Sequence, residues 1–351
     1  MSRAASGRPL RVAMLAPIAW RTPPRAYGPW ELVTSLLTEG LVARGVDVTL
    51  FATGESETAG KLVAVLPRGY EEDRTVDAKV WECLHLSEVF ERARAGEFDL
   101  IHNQFDFLPL SYSRLVDVPV VTTIHGFSSE RILPVYEKYN GDGHYVAISN
   151  ADRHPRLRYA ATIHHGIPME AFRPRFDPPG GDYLLFFGRL HPDKGAAEAL
   201  SLADKSGQPL VLAGIIQDQG YYDTQIKPRL DGERVRYVGP AGPAQRQDLL
   251  AGASALLHLI NFKEPFGLSV VEAMACGTPV LARPRGSMPE IVQAGINGFL
   301  TGSLAEDLAA LPALQSLGRR EVRASVERRF SVTRMVDDYL ALYERIRREP
   351  R

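Results

Sequence analysis

Two carboxylates, Glu264 and Glu272, stand eight residues apart in the segment Glu264-Pro-Phe-Gly-Leu-Ser-Val-Val-Glu-Ala-Met-Ala-Cys-Gly-Thr-Pro-Val280. Phe266-Gly267 reads as a turn into a helix, which puts Glu264 ahead of the helix and Glu272 inside it. At about 1.5 Å of rise per residue, Glu272 lies roughly 8 Å along the axis from Gly267. Carboxylates that act together on one glycosidic bond stand about 5–9.5 Å apart. A pair flanking a helix start can instead hold the two ends of an extended ligand. The free N–H groups near Gly267, Leu268 and Ser269 suit a phosphate between them. The pattern fits a nucleotide-sugar, with one carboxylate on sugar hydroxyls, amides on the diphosphate and the other carboxylate on ribose hydroxyls. Alone, the same residues also describe an amphipathic helix whose leading Glu complements its dipole.

A second segment, Phe187-Gly-Arg-Leu-His-Pro-Asp-Lys-Gly195, lies between an apolar strand and a helix, where a ligand loop is expected. Gly188 permits close backbone approach. Arg189 offers a fork of donors to phosphate oxygens, and Lys194 adds a point charge. Two cations can neutralise a diphosphate leaving group without a metal, and the chain contains no Asp-x-Asp pair to hold one. Alone, this loop is equally a solvated basic turn.

The elements that must position these residues alternate along the chain. Leu10–Ala16 is a compact apolar run and reads as a buried strand. Trp30–Arg44 carries Leu32, Val33, Leu36, Leu37 and Leu41 at helical spacing and closes on Gly45. Val46–Phe51 is the next strand, so the unit is strand, helix, strand, the mark of a parallel sheet. Further strands are predicted at 98–102, 118–125, 145–149, 183–187, 210–213, 236–238, 255–260 and 279–282. The Pro/Gly-rich stretch Arg173–Gly181 divides the chain into two α/β halves, 1–172 and 182–330, expected to enclose a cleft. Ligands of such sheets bind beyond the carboxyl ends of the strands. A last helix over 331–351 carries a stripe of Met335, Tyr339, Leu340 and Tyr343.

Composition narrows the class. The chain has 351 residues, 45% hydrophobic and 24% charged, which fits two ordinary globular domains and excludes collagen-like or disordered protein. A net charge of −1 gives no support to nucleic acid or a polybasic membrane partner. Two cysteines, Cys83 and Cys276, predict no disulfide framework and a reducing, cytoplasmic setting. The nine histidines show no zinc spacing. His125 stands apart, because it follows a strand and precedes Gly126.

Taken together, the two segments resemble the retaining glycosyltransferases of family 4. The resemblance extends through Tyr27-Gly28-Pro-Trp-Glu31, Leu41–Ala52, Thr122-Thr-Ile-His125-Gly126, Ala147–Asn150, His164–Ile167, Gly286–Val292 and Gly295–Leu300. It implies the GT-B fold, two Rossmann-like domains with parallel sheets facing across a cleft, and a last helix that crosses back to the N-terminal domain. It implies Glu272 on ribose hydroxyls, Glu264 on the donor sugar, and Arg189 and Lys194 on the diphosphate. Leu268 and neighbouring amides would help on the diphosphate, and Gly188, Phe266, Gly267 and Ser269 would complete the donor loops. Gly28 would lie near the phosphates from the other domain, and His125 at the donor sugar near the reacting carbon. A retaining, metal-independent and cofactor-free hexosyl transfer follows, from GDP-mannose, UDP-glucose or UDP-N-acetylglucosamine to an unidentified acceptor.

An epimerase of the same fold, a phosphorylase and a non-catalytic sugar-binding protein remain alternatives. A nicotinamide-dependent oxidoreductase requires Gly-x-Gly-x-x-Gly after the first strand, where this chain has Ala16-Pro-Ile-Ala-Trp20. On the acceptor side, His102, Asn103, Phe105 and Asp106 end a strand and either shape a pocket or merely close the strand. Arg21, Arg25, Trp20 and Trp30 are candidates to meet an anionic or lipid-linked acceptor, with membrane contact at most peripheral.

Overall fold

The apolar runs assemble into two parallel sheets in a computed structural model that describes residues 8–25, 28–126, 130–176 and 181–349. The first sheet holds β1 (Arg11–Leu15), β2 (Asp47–Phe51), β3 (Lys61–Val63), β4 (Leu100–Asn103), β5 (Val120–Ile124), β6 (His144–Ala147) and β7 (Tyr159–Thr162), in the order β3-β2-β1-β4-β5-β6-β7. The second holds β8 (Leu184–Phe187), β9 (Leu210–Ala213), β10 (Val235–Tyr237), β11 (Ala255–His258), β12 (Val280–Ala282) and β13 (Gly298–Leu300), in the order β10-β9-β8-β11-β12-β13. Central strands are buried along almost their whole length, as expected of parallel strands with helices on both faces. In the second sheet the winding reverses between β8 and β11, which makes their carboxyl ends the natural ligand crevice of that sheet.

The helix Pro29–Ala43 starts with Pro at its first position and buries Val33, Leu37 and Leu41. The C-terminal helix Val332–Arg348 buries Met335, Val336, Tyr339, Leu342, Tyr343 and Ile346, and it packs on Pro29–Ala43. In the second sheet, Arg283 follows β12 and forms a bidentate pair with Asp307 of the helix Leu304–Gln315, at 2.6 and 2.7 Å. Thr301 joins the pair, accepting from Arg283 at 2.9 Å and donating to Asp307 at 2.6 Å.

Two compact units result. One comprises 1–148, 152–166 and 332–351; the other comprises 149–151 and 167–331. The chain changes unit at Gly166/Ile167, ahead of the Arg173–Gly181 stretch that composition picked out; residues 177–180 of that stretch lie outside the described residues. The reason is hydrogen bonding. Ile167 N donates to Phe330 O at 2.9 Å, and Arg323 donates to the carbonyls of Met169 and Phe172 at 3.2 and 2.6 Å. Asn150 and Ala151 join the second unit because their N–H groups donate to the Glu290 carboxylate at 2.9 and 2.7 Å. Among the described residues, no helix is long and apolar enough to cross a membrane.

Candidate active site

The loops leaving β8 and β11 are tied together. Asn261 N donates to Asp193 O at 2.7 Å, and Asn261 Nδ2 donates to Glu198 at 2.6 Å. Across this junction Lys194 Nζ donates to Glu264 Oε2 at 3.2 Å and lies 4.1 Å from the centre of the Phe262 ring. His258, the last residue of β11, places Nε2 3.5 Å from the same oxygen, an ion-pair distance rather than an aligned hydrogen bond. Burial opposes charge on Glu264, but His258 and Lys194 outweigh it and hold the carboxyl down at about 2. Glu264 is therefore a fixed anion that can accept hydrogen bonds from ligand hydroxyls.

Its backbone is clamped from below. Ser287 N donates to Glu264 O at 2.9 Å, and the buried Ser287 hydroxyl donates to Phe266 O at 2.8 Å. Gly286 makes this approach possible. Its φ is +58°, and a Cβ there would lie 2.2 Å from Glu264 O. Gly267 caps the helix Leu268–Ala275, whose first backbone hydrogen bond runs from Val270 to Gly267 at 3.0 Å. The N–H groups of Leu268 and Ser269 thus precede the helical ladder, beside Glu264 in the chain, and can receive an anion. Phe266 corrects one expectation. Its ring is buried and packs edge-on against Phe330 at 5.7 Å, so it anchors the loop in the core and leaves only its backbone to a ligand.

Glu272 sits on the same helix, 2% exposed, with one carboxylate oxygen on Arg246 and Oε2 buried without a hydrogen-bond partner. Arg246 comes from the helix Pro243–Gly252, and burial lowers its guanidinium to about 10. Arg189 is drawn aside to Gln217 and to Asp193, the latter at 3.7 Å. Gly188 is the open spot of the loop: a Cβ there would meet only the Phe186 ring, at 3.8 Å.

In the other unit, His125 follows β5 and stacks on Trp30 with ring centres 5.3 Å apart. Its Nε2 lies 2.6 Å from Gln104 Oε1 and its Nδ1 3.3 Å from His165 Nε2. Burial, and then the nearby His102, push His125 down to about 3, so the ring is neutral at ordinary pH. Gly28 caps the helix Pro29–Ala43 with φ +152°, packed against Pro24 and the Glu31 carboxylate.

The acceptor-side residues divide. His102 is fully buried between Tyr343 and Thr123, at 2.5 and 2.8 Å, and cannot line a pocket. Asn103 is consumed by its own turn, accepting from Phe105 N and donating to Asp106 O, both at 2.8 Å. Phe105 is part of the core with Phe90, Leu86 and Leu15. Asp106 alone stays partly exposed. It holds a left-handed φ of +73° and accepts from the Tyr136 hydroxyl, while burial raises its carboxyl to about 6. Arg21 and Arg25 are engaged by Glu57 and Glu55, both at 2.8 Å, rather than presented to an anion.

Comparison with known proteins places this architecture. The model described as Glycosyl transferases group 1 matches residues 169–314, and the one described as Glycosyltransferase Family 4 matches residues 31–167. A D-inositol 3-phosphate glycosyltransferase of Frankia alni is 28% identical over 327 residues, 75% of this chain and 79% of the relative. The chain belongs to the family 4 glycosyltransferases. Solved structures agree on the fold. Sucrose-phosphate synthase from Thermosynechococcus elongatus aligns with a TM-score of 0.78 at 20% identity, over 96% of this chain and 99% of that one. Anabaena HepE in complex with UDP-glucose aligns at 0.68 and 19% identity, over 96% and 99%. With two parallel-sheet, Rossmann-like units of the GT-B type, this glycosyltransferase is a transferase that takes its sugar from a nucleotide-sugar donor.

Sequence reading missed several residues of this glycosyltransferase. His258 lay hidden at the end of an apolar strand, and its only signal was a polar residue six positions before Glu264. Arg246 reaches Glu272 from another helix and carried no local signal; Gln104 was passed over between His102 and Phe105, and His165 was noted only as part of the segment His164–Ile167. The contacts of Glu264 with Lys194 and His258 have a pH consequence. Its folded carboxyl lies below the ordinary 4.5, so its stabilisation is present above that value and lost as pH falls toward about 2. Glu264→Gln is expected to lower the urea midpoint at pH 7, with the gap to wild type narrowing below pH ~4.

Proposed function

We propose that this chain is a retaining, metal-independent and cofactor-free hexosyltransferase that uses a nucleoside-diphosphate sugar. The Lys194–Glu264 pair beside the start of the helix Leu268–Ala275 carries the reading. It sets a cation, a fixed carboxylate and free amides at the switch point of one sheet. On this reading Lys194, a re-aimed Arg189 and the Leu268 and Ser269 amides take the charge that develops on the leaving diphosphate. Glu264 accepts from sugar hydroxyls, and the unpartnered Oε2 of Glu272 accepts from a ribose hydroxyl. Gly28 and His125 keep the donor-side roles that the family resemblance implies for them. The described site offers no second carboxylate placed as a nucleophile, which supports same-face attack assisted by the leaving phosphate. Asp106 is the remaining acceptor-side candidate, a partly exposed carboxyl that can accept from an acceptor hydroxyl.

UDP-glucose is the first donor to try, given the Anabaena neighbour, followed by GDP-mannose and UDP-N-acetylglucosamine. D-inositol 3-phosphate is the first acceptor. Transfer is expected to proceed in EDTA with the donor's anomeric configuration preserved in the product by NMR. A requirement for added divalent metal, or an inverted product, would overturn the reading. Gly188→Ala supplies a finer test. The added methyl fits the protein, so the melting temperature should hold, while donor KM should rise about tenfold, equivalent to ~1.4 kcal/mol of lost binding.

A further inference from the structure

We propose that the C-terminal helix Val332–Arg348 sets the tautomer of His125 through a directed chain of hydrogen bonds, Tyr343–His102–Gln104–His125, which keeps the proton on Nε2 and leaves Nδ1 as an acceptor. A neutral imidazole has one N–H and one lone pair, and the partner of one nitrogen decides the character of the other. Burial leaves both His102 and His125 neutral, each pushed down to about 3, so each must make that choice.

The chain can be followed atom by atom. Gln104 Oε1 only accepts, so His125 Nε2, 2.6 Å away, must donate. Gln104 Nε2 only donates, so His102 Nε2, at 3.1 Å, must accept. The Thr123 hydroxyl, 2.8 Å from that nitrogen, shares the same lone pair, which leaves Tyr339 OH, also at 2.8 Å, to donate to Thr123. The remaining proton of His102 therefore sits on Nδ1 and is received by Tyr343 OH at 2.5 Å. At the far end, His125 Nδ1 keeps its lone pair and faces His165 Nε2 at 3.3 Å, a long contact that a ligand hydroxyl can replace. Reversing any link reverses all of them, because Gln104 cannot turn its amide without exchanging the roles of both histidines. The tyrosine hydroxyls thus reach a ring that the C-terminal helix never touches in this chain of bonds, and Tyr343, His102 and Gln104 are positioning residues for it.

The consequence for catalysis rests on the placement of His125 at the donor sugar, whereas the tautomer itself does not, so two readouts separate them. In 15N-resolved NMR of the full chain, His125 is expected to show a protonated Nε2 and bare Nδ1, and His102 the opposite. Tyr343→Phe keeps the buried ring and removes only the hydroxyl. It should shift His125 toward the Nδ1–H form and lower kcat about tenfold with donor KM little changed. A reversed pattern in the wild type, or an unchanged His125 pattern in Tyr343→Phe, overturns the proposal. A shifted tautomer with wild-type kcat supports the relay and instead removes His125 from the reaction.

Discussion

Replacing Lys194 by alanine is expected to lower kcat by about 10²–10³, the cost of removing one preorganised charge from a developing anion. The ammonium is held ready before any ligand arrives, 3.2 Å from Glu264 and against the Phe262 ring, with its loop fastened by Asn261. On the proposed role, the leaving diphosphate gains charge beside this ammonium as the glycosidic bond breaks, so the fixed cation favours the transition state over the ground state. The fall should therefore appear mainly in kcat. Lys194→Arg, which keeps charge but not shape, should recover part of it. Fold survival is checked by circular dichroism and melting, since the Lys194 side chain is not part of the apolar core. Near-normal turnover of Lys194→Ala with UDP-glucose, GDP-mannose and UDP-N-acetylglucosamine alike would sink the charge-neutralising mechanism. Arg189→Ala is expected to act in the same direction, because its present partners Gln217 and Asp193 are exchangeable surface groups.

The largest effect on stability is expected at Asp307→Ala, about 3–5 kcal/mol. The substitution leaves the Arg283 guanidinium buried, with only the Thr301 hydroxyl and carbonyl to receive its protons. Losing the partner is costly because the remaining charge can neither reach water nor shed its proton. The pair as a whole is a different matter. Replacing both members by apolar residues of similar volume, Arg283→Met with Asp307→Leu, should cost less than Asp307→Ala alone. Urea midpoints of the three proteins measure this coupling directly. An Asp307→Ala penalty under ~1 kcal/mol would mean that the pair behaves as a surface bridge.

What the sequence disclosed follows from burial. Most strands it predicted are buried, largely apolar runs, with the short edge strand β10 marked only by Tyr237 and Val238, whereas β3, β7 and β13 went unseen. All three are edge strands of three or four residues, largely half-exposed, so no continuous apolar run marks them. Glu264, Lys194 and the helix start were legible because they lie in two short segments whose local pattern already dictates a loop after a strand. The acceptor side was not. His102, Asn103 and Phe105 have polar or aromatic side chains that look available in one dimension, but Tyr343 and the helix Ala78–Arg94 take His102 and Phe105 from distant parts of the chain, and Asn103 is taken by its own turn. The domain boundary slipped for a similar reason. Proline and glycine mark where a chain turns, but hydrogen bonds from Phe330 and Arg323 decide which unit Ile167–Phe172 joins.

The composition of the first unit bears on the order in which this protein is made. Its sheet is translated early, yet the face of Pro29–Ala43 and the hydroxyls that pair with His102 and Thr123 come from Val332–Arg348. The second unit, by contrast, is nearly complete once Ser331 has emerged from the ribosome. The half synthesised first is therefore finished last. Until the final helix is released, the nascent chain carries an open apolar face, with the buried His102 and Thr123 lacking their tyrosine partners. Fusions or truncations that delay or remove this helix should thus impair the N-terminal half, some three hundred residues away in the chain.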